Sequence, residues 1–145
     1  MSTALRTEEL RAWRGMLQVH AAVTRALDAD LRAGHGLALS SYEVLMLLGE
    51  ADQERLRMAD IADRVLVSRS GLTRLIDRLV EAGLVERCAC ADDGRGAFAQ
   101  LTDAGREKLR AARRTHLAGV HERFLDRLSA DDQRALGEAW DSVLG

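Results

Sequence analysis

The stretch Val67–Leu84, VSRSGLTRLIDRLVEAGL, most constrains the fold, because it predicts a short amphipathic helix with both ends marked. At about 100° per residue, its aliphatic and polar side chains fall in opposite arcs. The aliphatic arc comprises Leu72, Leu75, Ile76 and Leu79, and the polar arc comprises Arg69, Ser70, Thr73, Arg74 and Asp77. Ser68 precedes the helix, where a hydroxyl accepts a backbone N–H, and Gly83 follows the last turn. The pattern predicts a helix that buries leucines and exposes hydroxyls and arginines.

The polar face of this helix favours contact with nucleic acid. Arg69 and Arg74 can form forked hydrogen bonds with guanine or phosphate, and short hydroxyls let a backbone approach closely. Four arginines and one acid, Asp77, occur between Arg64 and Arg78, although the whole chain carries a net charge of −2. A locally positive surface attracts a phosphate backbone whatever the total charge. The alternative is an ordinary solvated helix, since arginines are common on exposed faces.

A second short helix precedes this one. The stretch Met58–Leu66 places Ile61, Val65 and Leu66 on one helical face and leads directly into the capped helix. Two short helices joined by a tight turn, the second polar on its outer face, form a helix-turn-helix. The sequence therefore predicts this motif.

Over residues 84–102 the periodicity of the side chains changes from that of a helix to that of β-strands. Two alternating sets of side chains follow, with Glu86, Cys88 and Cys90 on one side and Val85, Arg87 and Ala89 on the other. A turn cluster, DDGRG, separates this strand from a second one, Ala97–Leu101, which predicts a hairpin with Arg95 at its tip. Such a tip can reach a minor groove or phosphates. The alternative is a hairpin that only covers the core, with Arg95 paired to Asp92 or Asp93.

Long amphipathic helices are predicted on both sides of this region. The first runs from Glu8 to about Ala33, and its apolar stripe is broader than a lone surface helix needs, which favours burial against a second chain. The stripe comprises Leu10, Trp13, Met16, Leu17, Val19, His20, Val23, Thr24, Leu27 and Leu31. A second long helix runs from Thr102 to about Leu128, and a final helix follows Ser129. The apolar face of that final helix comprises Leu136, Trp140, Val143 and Leu144.

Two shorter elements connect the first long helix to the helix-turn-helix. Leu37–Ala51 predicts a helix for which Ser40 and Glu43 fit a capping box. Leu56–Met58 predicts a short strand. The chain contains no proline, which is consistent with unbroken helices throughout.

Composition and missing motifs argue against several classes of protein. The chain has 145 residues, of which 47% are apolar and 30% charged, as in one soluble domain. No apolar run has membrane-spanning length, and the first residues lack the core of a secretory signal, so we expect a cytoplasmic protein without membrane contact. We expect no enzyme activity and no cofactor, because no phosphate-binding loop or nucleophile motif is present. Two cysteines, Cys88 and Cys90, make no disulfide framework. No metal site is expected either, because His116 and His121 lie five residues apart and do not share a helical face.

A set of motifs extends from about Leu39 to Leu109. It comprises Ser68-Arg69-Ser70, Thr73-Arg74-Leu75, Asp77-Arg78-Leu79, Gly83-Leu84-Val85-Glu86-Arg87, Asp92-Asp93-x-Arg95-Gly96 and Leu101-Thr102-x-x-Gly105. As a set, these motifs resemble the MarR family of winged-helix transcription regulators. The order of predicted helices agrees with that family along the whole chain.

The resemblance implies a mainly α fold with a small β-hairpin wing. A winged helix-turn-helix over residues 37–102 would be flanked by dimerisation helices over residues 1–36 and 103–145. It implies a homodimer, most often a repressor, that binds double-stranded DNA at an inverted repeat, with reading helices about 34 Å apart. The DNA contacts would come from Ser68, Arg69, Ser70, Thr73, Arg74, Arg78 and the wing arginine, Arg95. Gly71 departs from the family, whose members often carry a larger residue there, and the wing has fewer basic residues than many relatives.

The resemblance also suggests a small effector. Relatives often hold an aromatic acid between the dimer helices and the winged region, so a phenolic or purine-like effector is expected beside Trp13, His20, Tyr42 and Met46. The alternative is core packing, because aromatic residues and methionine at helical spacing are commonly buried filler.

Two further functions compete with effector-controlled DNA binding. One is a thiol-based redox switch at Cys88 and Cys90, which share a face of one strand and lie beside Arg87, a residue that would favour a thiolate. Adjacent strand cysteines do not easily reach disulfide geometry, which argues against it. The other is a helical dimeric adaptor that ignores DNA, for which the face bearing serine, threonine and arginine would have no purpose.

Overall fold

The computed structural model of the protein describes residues 4–65, 67–89 and 97–145. Across those ranges the elements are α1 (Thr7–His35), α2 (Leu39–Glu50), β1 (Arg55–Arg57), α3 (Met58–Val65), α4 (Arg69–Glu81), β2 (Val85–Ala89), β3 (Ala97–Leu101), α5 (Asp103–Arg123) and α6 (Ala130–Leu144). Short 3-10 turns occupy Asp52–Glu54 and Leu125–Arg127. The predicted mainly α fold with a small antiparallel sheet is confirmed. No described helix is long and apolar enough to cross a membrane.

The sheet brings the hairpin against the helix-turn-helix. Its strand order is β1-β3-β2, with all neighbours antiparallel. Leu56 pairs with Ala99 and Val85 pairs with Leu101, so the buried side chains of the sheet lie on one face. The first strand starts one residue earlier than predicted and ends before Met58, which begins α3. The predicted turn over residues 90–96 lies outside the described residues.

The hydrophobic core is centred on α2, α4 and the sheet. Its fully buried side chains include Tyr42, Val44, Leu45, Leu48, Ile61, Leu72, Ile76 and Val85. The predicted aliphatic arc of α4 is confirmed, because Leu72, Leu75, Ile76 and Leu79 are all buried. Ser68 is its N-cap and Gly83 has a positive φ of 76°, as the sequence predicted.

The start of α5 explains the motif Leu101-Thr102-x-x-Gly105. The Thr102 hydroxyl accepts the N–H of Gly105 at 3.0 Å and donates to the Gly83 carbonyl at 2.6 Å. A Cβ on Gly105 would lie 1.9 Å from the Leu84 carbonyl oxygen. Only glycine therefore lets α5 begin directly against the end of α4.

The predicted capping box at the start of α2 is wrong. The helix begins at Leu39, one residue before Ser40. Its N-cap residue is Ala38, whose methyl side chain cannot accept a hydrogen bond from the helix. Asp28 of α1 replaces the missing cap, since its Oδ1 accepts the Leu39 N–H at 2.9 Å. Glu43 is half-buried instead of capping the helix, and burial raises its pKa.

Helices α1 and α5 pack closely along one half of α1. A Cβ on Gly119 would lie 2.7 Å from Leu27, and Arg123 forms an ion pair with Asp30 at 2.9 Å. Helix α5 ends at Arg123 and continues as a 3-10 turn, so the predicted single helix to Leu128 is too long.

The apolar stripe of α1 is only partly covered. Leu27 and Leu31 are buried, whereas Trp13, Met16, Leu17 and Val19 are exposed. Helix α6 has no buried residue, and Trp140, Val143 and Leu144 are exposed on it. One copy of the chain thus leaves two apolar helical surfaces open to solvent.

Candidate DNA interface

The outward face of α4 carries the polar residues that the sequence placed there. Ser68, Arg69, Ser70, Thr73, Arg74 and Arg78 are all exposed, on the side opposite the buried leucines. The Ser68 hydroxyl accepts the Gly71 N–H at 3.0 Å and lies 3.3 Å from the Ser70 hydroxyl. The Thr73 hydroxyl donates to the Arg69 carbonyl at 2.9 Å, which leaves its lone pairs free to accept. The first two turns of α4 are therefore well supplied with exposed hydrogen-bonding groups.

Two arginines on this face have free guanidinium groups. Neither Arg69 nor Arg74 forms an ion pair or a side-chain hydrogen bond with any described residue. On other exposed helices, arginines pair with neighbouring acids, as Arg110 does with Glu107 at 2.8 Å. Unpaired arginines beside short hydroxyls form a surface that can donate hydrogen bonds to bases or phosphates.

Arg78 does not join this group. It lies more than two turns further along α4 than Arg69 and lines a separate hollow with Arg32 and Lys108. The structure thus places Arg69, Ser70, Thr73 and Arg74 together near the start of α4, while Arg78 is at the far end. Arg95 lies outside the described residues.

A hollow of about 450 Å³ lies beside the start of α4, and it includes arginines that sequence reasoning missed. Arg57 at the end of β1 and Arg87 on β2 line it together with Arg69 and Thr73. Arg57 also packs over the Phe98 ring, 5.4 Å from its centroid. Arg57 pairs with Phe98 and Arg87 pairs with Ala99, so the two side chains start from opposite faces of the sheet, and strand alternation would not have placed both at this hollow.

The hairpin is joined to α4 by an ion pair between Arg87 and Asp77. This pair corrects the prediction that Arg87 favours a thiolate at Cys88, because the Arg87 guanidinium is held by a carboxylate of α4. The Cys88 thiol instead faces the side-chain oxygen of Gln100 at 3.4 Å. Cys90 lies outside the described residues, and the redox alternative stays a prediction.

The four candidate effector residues are distributed over two environments. Tyr42 is buried, and its ring centroid lies 4.6 Å from that of His116; burial raises the pKa of Tyr42 and lowers that of His116. Met46 is half-buried against the core, whereas Trp13 and His20 are exposed on α1. Neither hollow described here is lined by any of the four.

Gly71 and the histidines have local explanations. A Cβ on Gly71 would lie 3.0 Å from the Ser68 hydroxyl oxygen, so a larger residue would crowd the helix cap. The Nδ1 of His121 lies 3.5 Å from a carboxylate oxygen of Asp126 at the exposed surface, while His116 packs in the core region. Within the described ranges no group of histidine, cysteine and acidic side chains is arranged to hold a metal ion.

Comparison with known proteins places this geometry among transcription regulators. A family model described as "MarR family" matches residues 35–96. The repressor YetL of Bacillus subtilis is 30% identical over 114 residues, which cover 77% of this chain and 68% of YetL. The crystal structure of AbsC, a MarR family transcriptional regulator from Streptomyces coelicolor, is 36% identical with a TM-score of 0.92, covering 99% of this chain and 96% of AbsC. Sco3205, a MarR family regulator from the same organism crystallised in complex with DNA, is 34% identical with a TM-score of 0.91, covering 99% of this chain and 90% of Sco3205.

Proposed function

Because this chain belongs to the MarR family of transcriptional regulators, we propose that it binds double-stranded DNA as a homodimer and represses transcription from an inverted repeat. The observation that carries the proposal is the surface of α4, where two arginines without an ion pair among the described residues stand beside exposed hydroxyls on a helix whose opposite side is buried. A helix fixed in this way can enter a major groove without rearranging. The similarity to Sco3205, whose structure contains DNA, and to the repressor YetL supports both parts of the proposal.

The DNA contacts are assigned by position along α4. Ser68, Arg69 and Ser70 are suited to the phosphates and bases met by the first turn, and Thr73 and Arg74 to base edges one turn further on. Arg78 would contact DNA only at the far end of the helix, and Arg95 would contact phosphates from the wing. Arg57, on the hollow beside α4, adds positive charge facing the same duplex, whereas the charge of Arg87 on that hollow is balanced by Asp77.

The homodimer is proposed from the apolar residues that one copy leaves exposed. The free half of α1 exposes Trp13, Leu17 and Val19, and α6 exposes Trp140 and Val143. A second copy that covers both surfaces would place residues 1–36 and 103–145 at the interface and two copies of α4 on one side of the dimer. Two reading helices related by a twofold axis require an inverted repeat.

An effector site beside Trp13, His20, Tyr42 and Met46 remains part of the proposal. Trp13 and His20 lie on the stripe that the partner would cover, so the partner would complete any space for a phenolic or purine-like ligand. The His116 ring packs against Tyr42, and its buried Nδ1 has no hydrogen-bond partner among the described residues, which leaves one polar atom in this region that a ligand could satisfy.

Binding to the DNA upstream of the chain's own gene tests the proposed function. Fluorescence anisotropy would be measured with duplexes tiled across that region, each long enough for two half-sites one helical turn apart. We expect one duplex to bind a dimer with affinity at least about 10³-fold above a random duplex, as is typical of specific sites. No affinity for any duplex would favour the helical adaptor, and equal affinity for all duplexes would overturn the proposed sequence-specific binding.

A further inference from the structure

The turn that leads from α2 into β1 has a backbone conformation that residues with a side chain rarely adopt. Gln53 has a φ of 56° and a ψ of 18°, and the next residue, Glu54, also has a φ of 56°. Within the described ranges, every other residue with a positive φ is a glycine. A left-handed conformation costs free energy when a Cβ is present, so two in succession persist only where the surrounding contacts hold them.

Side chains from α5 and β3 hold this turn. The Nε of Arg106 donates to both carboxylate oxygens of Glu54, at 3.0 and 2.9 Å, and its Nη2 donates to one of them at 2.7 Å. The Nη1 of Arg106 donates to Asp103 at 2.8 Å, so the guanidinium is fixed on two sides. These bonds lower the pKa of Glu54, which keeps its carboxylate charged. From β3, the Gln100 side chain donates to the Gln53 carbonyl at 3.3 Å.

The part of α5 that carries Arg106 is itself fixed in place. Arg106 directly follows Gly105, which packs against the Leu84 carbonyl so closely that no Cβ fits between them. The contact between Arg106 and Glu54 therefore joins the region that follows the reading helix to the turn before β1. The two residues lie 52 positions apart in the sequence.

The turn determines where β1 lies, because the strand is short and has a neighbour on one side. It comprises Arg55–Arg57, directly follows Glu54, and lies at the edge of the described sheet, paired with β3. Its last residue, Arg57, packs over the Phe98 ring and lines the hollow beside Arg69 of the reading helix. A shift of the turn would move this guanidinium relative to α4.

We propose that Arg106 is a positioning residue for DNA binding, which holds Glu54 and thereby keeps β1 placed so that Arg57 contacts a phosphate of the duplex that α4 reads. A planar guanidinium stacked on a ring is well suited to donate to a phosphate. Neither Arg106 nor Glu54 lines the hollow, so both act through β1. The contact of Arg57 with DNA rests on the proposed function, whereas the hold on the turn does not.

Hydrogen–deuterium exchange of the full chain without DNA tests the hold on the turn. Arg106→Met should speed exchange of the amides of residues 54–57 by about 10-fold, because the turn opens more often when its ion pair is lost. Arg110→Met is the matched control, since it removes the same charge one turn further along α5 from a pair with Glu107, also at 2.8 Å. It should leave this segment unchanged. Equal exchange in Arg106→Met and the parent would overturn the proposal.

The salt dependence of DNA affinity tests the positioning role. On the preferred duplex, Arg57→Met and Arg106→Met should each weaken binding about 10-fold and reduce the slope of log affinity against log salt by about one, as for one lost phosphate contact. Arg110→Met should keep the slope of the parent. Because Arg106 acts through Arg57, the double variant should bind as Arg57→Met does. Losses that add in the double variant would show that Arg106 acts elsewhere and would overturn the proposal.

Glu54→Gln distinguishes positioning from the general attraction between positive charge and DNA. The variant removes a negative charge, so general attraction predicts tighter binding, whereas loss of the contact with Arg106 predicts binding about 10-fold weaker. Glu107→Gln makes the same change of charge on α5 and should not weaken binding. Tighter binding by Glu54→Gln would contradict the proposal. If the parent binds no duplex specifically, the proposed function fails and the positioning role with it, while hydrogen exchange still shows whether Arg106 holds the turn.

Discussion

In the described part of residues 37–102 every leucine is buried or half-buried, whereas Leu17 on the free half of α1 and Leu144 on α6 are exposed. In the winged part, Leu45, Leu48 and Ile76 are completely buried in a core that one chain builds alone. On the long helices, Leu17 is 48% exposed and Leu144 is 84% exposed. The charges show the opposite distribution, because the winged part exposes unpaired arginines on α4 while most charges of α5 are paired with neighbours.

This difference indicates which kind of partner each part of the molecule is suited to contact. A part that buries its own apolar side chains gains nothing from a protein partner, and its free arginines suit a polyanion. A helix that leaves tryptophan and leucine in water is stabilised when a second apolar surface covers it. The winged part, whose core also takes in Leu31 of α1 and Leu109 of α5, is therefore expected to need no second copy, whereas the exposed surfaces of the long helices are expected to need one.

The largest effect is expected from a core variant of the winged part. Ile76→Ala should lower the free energy of unfolding by about 2–5 kcal/mol, because the side chain is fully buried and a cavity remains. Urea denaturation at two protein concentrations measures it. Arg74→Ala, two residues away on the exposed face, should change the free energy of unfolding by less than about 0.5 kcal/mol. A similar loss of unfolding free energy in both variants would contradict the buried and exposed faces that the structure assigns to α4.

The exposed apolar stripe of α1 should determine how strongly two copies associate, and it should have little effect on the folding of a single chain. Leu17→Glu should raise the dissociation constant of the dimer by about two orders of magnitude, since an unpaired carboxylate in an apolar interface costs about 3 kcal/mol or more. Sedimentation velocity over a dilution series measures the change. Gln18→Glu adds the same charge on the opposite face of α1 and should leave the dimer intact. A dimer that tolerates Leu17→Glu would mean that the stripe is covered by something other than a second copy.

The smallest effect is expected at the ion pair that joins the hairpin to α4. The side chains of Arg87 and Asp77 are 39% and 55% exposed, and exposed pairs contribute between about 0 and 1 kcal/mol. Asp77→Asn should therefore shift the midpoint of thermal unfolding only slightly. A loss comparable to that of Ile76→Ala would show that this pair is part of the core and not of the binding surface.

The sequence predicted the elements that are fixed by local chemistry. Periodicity located α4 and its buried arc, and hydroxyl caps at Ser68 and Thr102 marked the starts of two helices correctly. The sequence-based prediction failed where a helix cap comes from a distant element. At the start of α2 the capping oxygen belongs to Asp28 of α1 and not to a neighbouring residue. The family resemblance supplied the order of helices, which periodicity alone leaves open.

The site was predicted less completely than the fold. Arg69, Ser70, Thr73 and Arg74 share a face because the second pair follows the first by about one helical turn, and this is readable from spacing. Arg57 and Arg87 come beside them only through strand pairing, which spacing does not specify. The contact between Arg106 and Glu54 joins residues 52 positions apart and could not have been found without the structure.

The most direct test of the central claim is the loss of a single base contact in Arg74→Ala. Affinity would be measured for the parent and the variant on the preferred duplex and on each of its single base-pair substitutions. We predict that the variant binds the preferred duplex more weakly by about 1–3 kcal/mol, loses discrimination at one base pair in each half-site, and keeps it elsewhere. Unchanged affinity, or a uniform loss that leaves discrimination intact at every position, would contradict the claim that this face of α4 reads DNA.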